Sequence, residues 1–207
     1  MKTKTHVLLT SILLAGSAAM FAEDVPTQLP QVAEQIQSTQ VLSLQVQGPK
    51  DRFNNPLIDY AKYRRIAAEV QPEREKRRIT EVQFALMAGE PNTIVLDARS
   101  ADKYAMRHIS GAISLPFTDF TTESLAKVIP SPDTRILIYC NNNFLGDQRA
   151  FASKAAPASL NISTYIALAT YGYKNVYELG PLLDVNYSVL PFSGTQVPAR
   201  KDGPTVK

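Results

Sequence analysis

Three short apolar runs, each bounded by turn residues and separated by helical stretches, constrain this chain most. They are Thr93–Leu96, which ends at Asp97, and Arg135–Tyr139 with its Ile136-Leu137-Ile138 centre, with Asn175–Leu179 as the last clear strand, its Val176, Tyr177 and Leu179 set around Glu178. Runs of this length, rich in Ile, Val and Leu and not alternating with polar residues, are strands buried on both faces. Between them the spacing predicts helices. Thr80-Glu81-Val82-Gln83 reads as a capping box opening a helix with Val82 and Leu86 on its apolar stripe, closed by Gly89 and Pro91. Asp102–Arg107, Thr121–Val128 and Leu160–Tyr171 follow as helices, Ala112–Leu115 as a short strand, and Asp147 as the cap of a helix reaching Ala156, where Pro157 stops it. Strands alternating with helices imply an α/β domain: a small, mostly parallel central sheet with helices on both faces.

Outside this block the pattern changes. Lys2 and Lys4, the apolar run Val7–Ala15 and the small residues around Ser17, Ala18, Ala19 and Ala22 read as a secretory signal over 1–22, with cleavage after Ala19 or Ala22. The apolar run is short for a membrane span of about 20 residues, so no stable span is expected after cleavage. No cysteine follows it to carry a lipid. The expectation is a periplasmic or secreted protein. Residues 23–77 form an N-terminal extension, rich in Gln and Pro at first, with a candidate strand at Val41–Val46 and a helix over Ile58–Val70 that has Asp59 near its start. The cluster Arg74, Lys76, Arg77, Arg78 alternates with Glu73 and Glu75 and reads as a solvated helix start or linker. The domain proper runs over 78–193, and the tail 194–207 is expected to be loosely held.

Composition excludes several chemistries. One cysteine and two histidines, His6 and His108, leave no ligand set for a zinc, haem or iron–sulfur centre, so neither metal nor cofactor is expected. The formal charge of +3 falls to +1 once the leader with its two lysines is gone. A nearly neutral chain gives no electrostatic footprint for nucleic acid.

Cys140 follows directly on the strongest strand. Ligands of open α/β sheets sit beyond the carboxyl ends of strands, where backbone N–H groups and helix N-termini favour a thiolate and cradle an anion. Two readings of this residue stand side by side: a reactive nucleophile, or one of the buried, inert cysteines common in protein cores.

The order of motifs resembles the rhodanese homology domain. Ile94-Val95-Leu96-Asp97-Ala98-Arg99, Tyr104, His108-Ile109-Ser110-Gly111-Ala112 and Leu115-Pro116 are similar to its N-terminal signature. Cys140 falls where the family keeps its persulfide-forming cysteine, and Gly172–Gly180 resembles the closing strand and turn. The likeness extends from Arg78 to Pro191. It implies a sulfurtransferase in which Cys140 takes sulfane sulfur from a thiosulfate-like anionic donor and passes it to cyanide or a thiol. The backbone of Asn141, Asn142, Asn143, Phe144, Leu145 and Gly146 would hold the persulfide, with Arg149 as the nearest downstream cation. Asp97, Arg99 and His108 would be structural. The chain departs from the family where the active loop should carry arginine five residues after the cysteine: Leu145 stands there, and Gly146 occupies the position a phosphatase-like loop gives to arginine. A cysteine phosphatase or arsenate reductase is disfavoured for want of that guanidinium clamp. Cys140 and Gly172 are also further apart than one helix requires, which implies an insertion between Asn142 and Leu160. The remaining alternative is a rhodanese-fold binding module without turnover, with the N-terminal extension as a surface for a protein partner.

Overall fold

The computed structural model describes residue 53 and residues 55–197. The leader, the candidate strand Val41–Val46 and the tail beyond residue 197 lie outside the described residues.

Five strands form the central sheet: β1 (Arg78–Ile79), β2 (Thr93–Asp97), β4 (Ile113–Ser114), β5 (Arg135–Tyr139) and β7 (Val176–Leu179), in the order β1-β7-β5-β2-β4. Every pairing in it is parallel, and β5 lies at the centre with Leu137 opposite Val95 on one side and Tyr177 on the other. Two small satellite sheets accompany it. β3 (His108–Ile109) pairs antiparallel with β9 (Phe192–Ser193), and β6 (Phe144–Leu145) pairs parallel with β8 (Leu183–Asp184).

Because side chains alternate along a strand, the sheet divides the core in two. Val95, Leu137, Tyr139 and Leu179 face one side, where they meet Phe84 of α2 (Glu81–Ala88) together with Phe144 and Phe151. Leu96, Ile136, Ile138 and Val176 face the other, packing on Leu125 and Ile129 at α4 (Thr122–Val128) and on Tyr165 and Leu168 of α5 (Leu160–Thr170). A further helix, α1 (Tyr60–Lys76), adds Val70 to this second layer. The short α3 (Ala101–Met106) sits beyond the end of β2. The sheet is thus parallel with helices on both faces, as its apolar runs require.

Four local expectations are corrected. The first is the stripe of α2. Its capping box forms, with Thr80 Oγ1 accepting the Gln83 N–H, but Phe84 is the residue buried, whereas Val82 and Leu86 stay 60% and 67% exposed. Six to eight residues give too few repeats to tell one apolar face from the next.

The second is the extent of α1, which continues through Pro72 to Lys76. Its last turn holds the basic cluster in ion pairs, Arg77 with Glu73 at 2.7 Å and Arg74 with Glu178 at 2.7 Å, so the cluster ends a helix and docks on β7. The third is the start of the tail, which is tied down: Thr195 and Gln196 N–H donate to the Ala105 and Met106 carbonyls, each at 2.9 Å.

The fourth is the expected helix from Asp147 to Ala156, which does not form. Asp147 does cap a single turn, its Oδ1 accepting the Ala150 N–H at 3.0 Å. The next backbone groups are then taken by other partners. Arg99 donates to the Ala150 carbonyl at 3.0 Å, Asn141 Nδ2 to the Ala152 carbonyl at 2.7 Å, and the Asn142 amide both gives and receives a bond at Lys154. Side-chain amides outcompete the helix ladder here.

Candidate functional site

The carboxyl ends of β2 and β5 open toward one cleft of about 760 Å³, within the range of small-molecule sites. Its walls include Ser100 and Lys103 at α3, Phe117 to Asp119 after β4, Asn141 after β5, and Lys154 and Leu160 around the start of α5. A buried ion pair and a hydroxyl bond tie the two strand ends together. Asp97 (0% exposed) meets the Arg99 guanidinium (2% exposed as a residue) at 2.6 Å and accepts the Tyr139 hydroxyl at 2.5 Å. Burial, and the Asp97 carboxylate beside it, raise the Tyr139 phenol well above its usual range, so it serves as a neutral donor. Its oxygen in turn accepts the Ile109 N–H at 3.1 Å. Arg99 spends its remaining donors on the Arg107 and Ala150 carbonyls, at 2.7 Å and 3.0 Å, and its guanidinium lies 4.5 Å from the Phe151 ring centre. Each of its three guanidinium nitrogens donates within the protein. His108 stacks on Tyr104 with ring centres 3.8 Å apart, and its Nδ1 lies 2.7 Å from the Tyr104 carbonyl. In the structure Asp97, Arg99 and His108 make ion-pair, stacking and hydrogen-bond contacts within the domain.

Cys140 lies at the end of β5 and is 1% exposed. Alternation along β5 turns its side chain toward the α4–α5 layer. Its sulfur receives the Asn143 N–H and lies 3.5 Å from the Ser159 hydroxyl. Asn143 locks this turn. Its Oδ1 accepts the Cys140 N–H at 2.9 Å and the Asn161 amide at 3.0 Å, while its Nδ2 donates to the Leu179 carbonyl at 2.7 Å.

The expected loop of amides from 141 to 146 is only partly realised. Asn141–Asn143 form one tight turn beside the sulfur. Phe144 donates its N–H back to Asn141 and buries its ring against Phe151 and Phe192, and Leu145 continues into the β6–β8 pairing. Gly146 turns with φ +88° where an added Cβ would fall 2.6 Å from Asp184 Oδ1. Phe144, Leu145 and Gly146 are therefore structural here and not part of a cradle, because an apolar ring placed four residues after the cysteine is drawn into the core. Arg149 is exposed, and its carbonyl accepts the Lys103 ammonium. Of the expected ligand-contacting set, the structure brings Asn141 to the cleft wall; Lys103, Lys154 and Ser159 were not foreseen. Ser159 stands 19 residues from Cys140, and nothing in spacing alone marks it.

A covered parallel sheet with a lone cysteine beyond its central strand is an α/β domain of the kind that binds or reacts at its strand ends. The family model described as the rhodanese-like domain matches residues 80–180. Over these residues the chain carries a rhodanese-like domain with the rhodanese-like fold. A search of curated proteins gives no match. Among solved structures, a protein of Bacillus halodurans is 20% identical with a TM-score of 0.43, covering 64% of this chain and 88% of its own. The rhodanese-like domain of an Anabaena sp. protein is 22% identical with a TM-score of 0.42, covering 63% and 91%. A rhodanese from E. coli with anions is 20% identical with a TM-score of 0.32, covering 49% and 98%.

Proposed function

We propose that this is an exported rhodanese-fold binding module, which takes a small polar ligand in the cleft beyond β2 and β5 and does not turn over thiosulfate. One observation carries the reading: Cys140 is 1% exposed, and the chain after Asn143 leaves it to build the β6–β8 pair. A sulfur donor must reach the thiolate along the axis of the bond to be broken, and the added sulfur needs its own ring of donors. A sulfur that is 1% exposed, with one backbone N–H and one hydroxyl beside it, supports binding over transfer. The leader pattern over 1–22 supports export to the periplasm. Among the described residues, no helix is long and apolar enough to cross a membrane.

A second reading, sulfur transfer through a persulfide on Cys140, is favoured by the Asn143 N–H and Ser159 hydroxyl at the sulfur and by the neighbouring Asn141 on the cleft wall. In it, the Cys140 thiolate attacks the outer sulfur of thiosulfate, sulfite leaves with the electron pair, and cyanide or a thiol later removes the sulfur.

One experiment separates the two. The chain is incubated with thiosulfate and its intact mass measured, and cyanide is added to assay thiocyanate. The binding reading expects an unchanged mass and no thiocyanate. An adduct of about 32 Da that disappears in Cys140→Ser overturns it and establishes sulfur transfer.

A further inference from the structure

Helix α1 uses its charges differently along its length. From Glu73 onward they are paired: Arg77 with Glu73 at 2.7 Å, Arg74 with Glu178 at 2.7 Å, and Arg78 with Glu75 at 3.3 Å. The middle of the helix packs: Val70 joins the second layer, and Ile66 and Val70 line a hollow together with Tyr165 and Tyr173. The first half does neither. Every residue from 55 to 65 is exposed, and among them Leu57 is 92%, Ile58 69%, Tyr60 69% and Tyr63 46% exposed. Lys62, Arg64 and Arg65 have no carboxylate at ion-pair distance among the described residues. Asp59 is engaged as N-cap, accepting the Lys62 N–H at 2.7 Å, and Glu69, one turn beyond Arg65, forms no ion pair with these cations. Arg64 lies 6.0 Å from the Tyr60 ring centre.

Tyr60 and Tyr63 stand one turn apart and prolong the stripe that Ile66 and Val70 bury further along. The stripe thus stays exposed, flanked by cations that have no carboxylate partner among the described residues. Contiguous apolar surface beside positive charge marks a docking face. Aliphatic and tyrosyl side chains next to lysine and arginine suit a bilayer boundary, where rings and aliphatics enter below the headgroups and cations reach the phosphates. A nucleic acid offers phosphates but no apolar medium for Leu57 and Ile58.

We propose that the N-terminal end of α1 docks on an anionic lipid bilayer, Lys62, Arg64 and Arg65 meeting lipid phosphates while Leu57, Ile58, Tyr60 and Tyr63 enter the headgroup–acyl boundary. The test uses the full chain in cosedimentation with phosphatidylglycerol-containing vesicles, with pure phosphatidylcholine vesicles, and in gel shift with single-stranded DNA. The full chain is expected to bind the anionic vesicles about tenfold or more tightly than the neutral ones, as several juxtamembrane cations provide. Two variants, Lys62→Gln/Arg64→Gln/Arg65→Gln and Leu57→Ser/Ile58→Ser, change only exposed side chains and are checked for unchanged circular dichroism. Each is expected to lose about tenfold in binding to anionic vesicles. Equal binding by all three proteins overturns the proposal. So does equal affinity for neutral vesicles, or DNA binding that exceeds vesicle binding.

Discussion

Arg99 is a charged side chain almost wholly withdrawn from water, and its partner Asp97 is more deeply buried still. Such a pair contributes little net stability over a well-packed apolar pair, but removing one member strands the other charge in the core. Arg99→Ala is therefore expected to lose about 3–5 kcal/mol in urea unfolding. Arg99→Lys is expected to recover little of it, because an ammonium cannot span Asp97 and the Arg107 and Ala150 carbonyls at once. Glu178 poses the complementary case. Burial raises its carboxyl above the ordinary 4.5, outweighing the attraction of Arg74 and Arg78. The folded protein holds this proton more tightly than the unfolded chain, so the stability it contributes is complete below about 4.5 and is lost as pH rises through the raised value. Urea midpoints measured across that window should fall with pH in the wild type relative to Glu178→Gln. A constant gap between the two would show that burial does not govern this group.

At the scale of elements, the segment between Asn141 and Leu160 is the least regular part of the domain and the one that decides what Cys140 can do. Beyond the short β6–β8 pairing it is held by single side chains and not by a ladder. Asn142→Ala removes both bonds to Lys154, each net worth about 1 kcal/mol, and should speed amide exchange at Lys154 roughly tenfold while β5 exchanges as before. Unchanged protection at Lys154 would assign the segment's shape to Phe144 and Phe151 packing instead. Gly146 closes the same segment onto β8. An alanine there takes on left-handed strain of roughly 1–2 kcal/mol besides the contact with Asp184, so Gly146→Ala should unfold at lower urea concentration by at least that amount.

For the whole molecule, enclosure of Cys140 between the sheet and α5 sets a measurable barrier. A thiol reagent reaches it only through opening of the segment 152–160 or of the domain. Alkylation by iodoacetamide is expected to run about a hundredfold slower in the native protein than in urea, as an opening cost near 3 kcal/mol requires. Labelling at the rate of the unfolded chain would contradict the enclosure and return Cys140 to the role of an accessible nucleophile.

Much of this architecture could be read in advance because the strands β2, β5 and β7 announce themselves locally: short runs dominated by Ile, Val, Leu and Tyr and bounded by turn residues favour a two-sided sheet. The cap of α2 was legible for the same reason, since Thr80 bonds to backbone three residues on, whereas the cap that Thr121 supplies to α4 emerged only in the structure. The motif order further marked Asp97, Arg99 and His108 as structural, and their ion pair and stacking follow from short separations in the chain. What lay beyond the sequence was every outcome set by competition between distant groups. The helix expected after Asp147 gave way to Arg99 and two asparagine amides. Phe144 followed Phe151 and Phe192 into the core and took the expected cradle with it. Ser159, and not a basic residue, came to rest at the sulfur. Local chemistry sets the conformations a segment can adopt, and only the packed molecule decides which partner wins its hydrogen bonds.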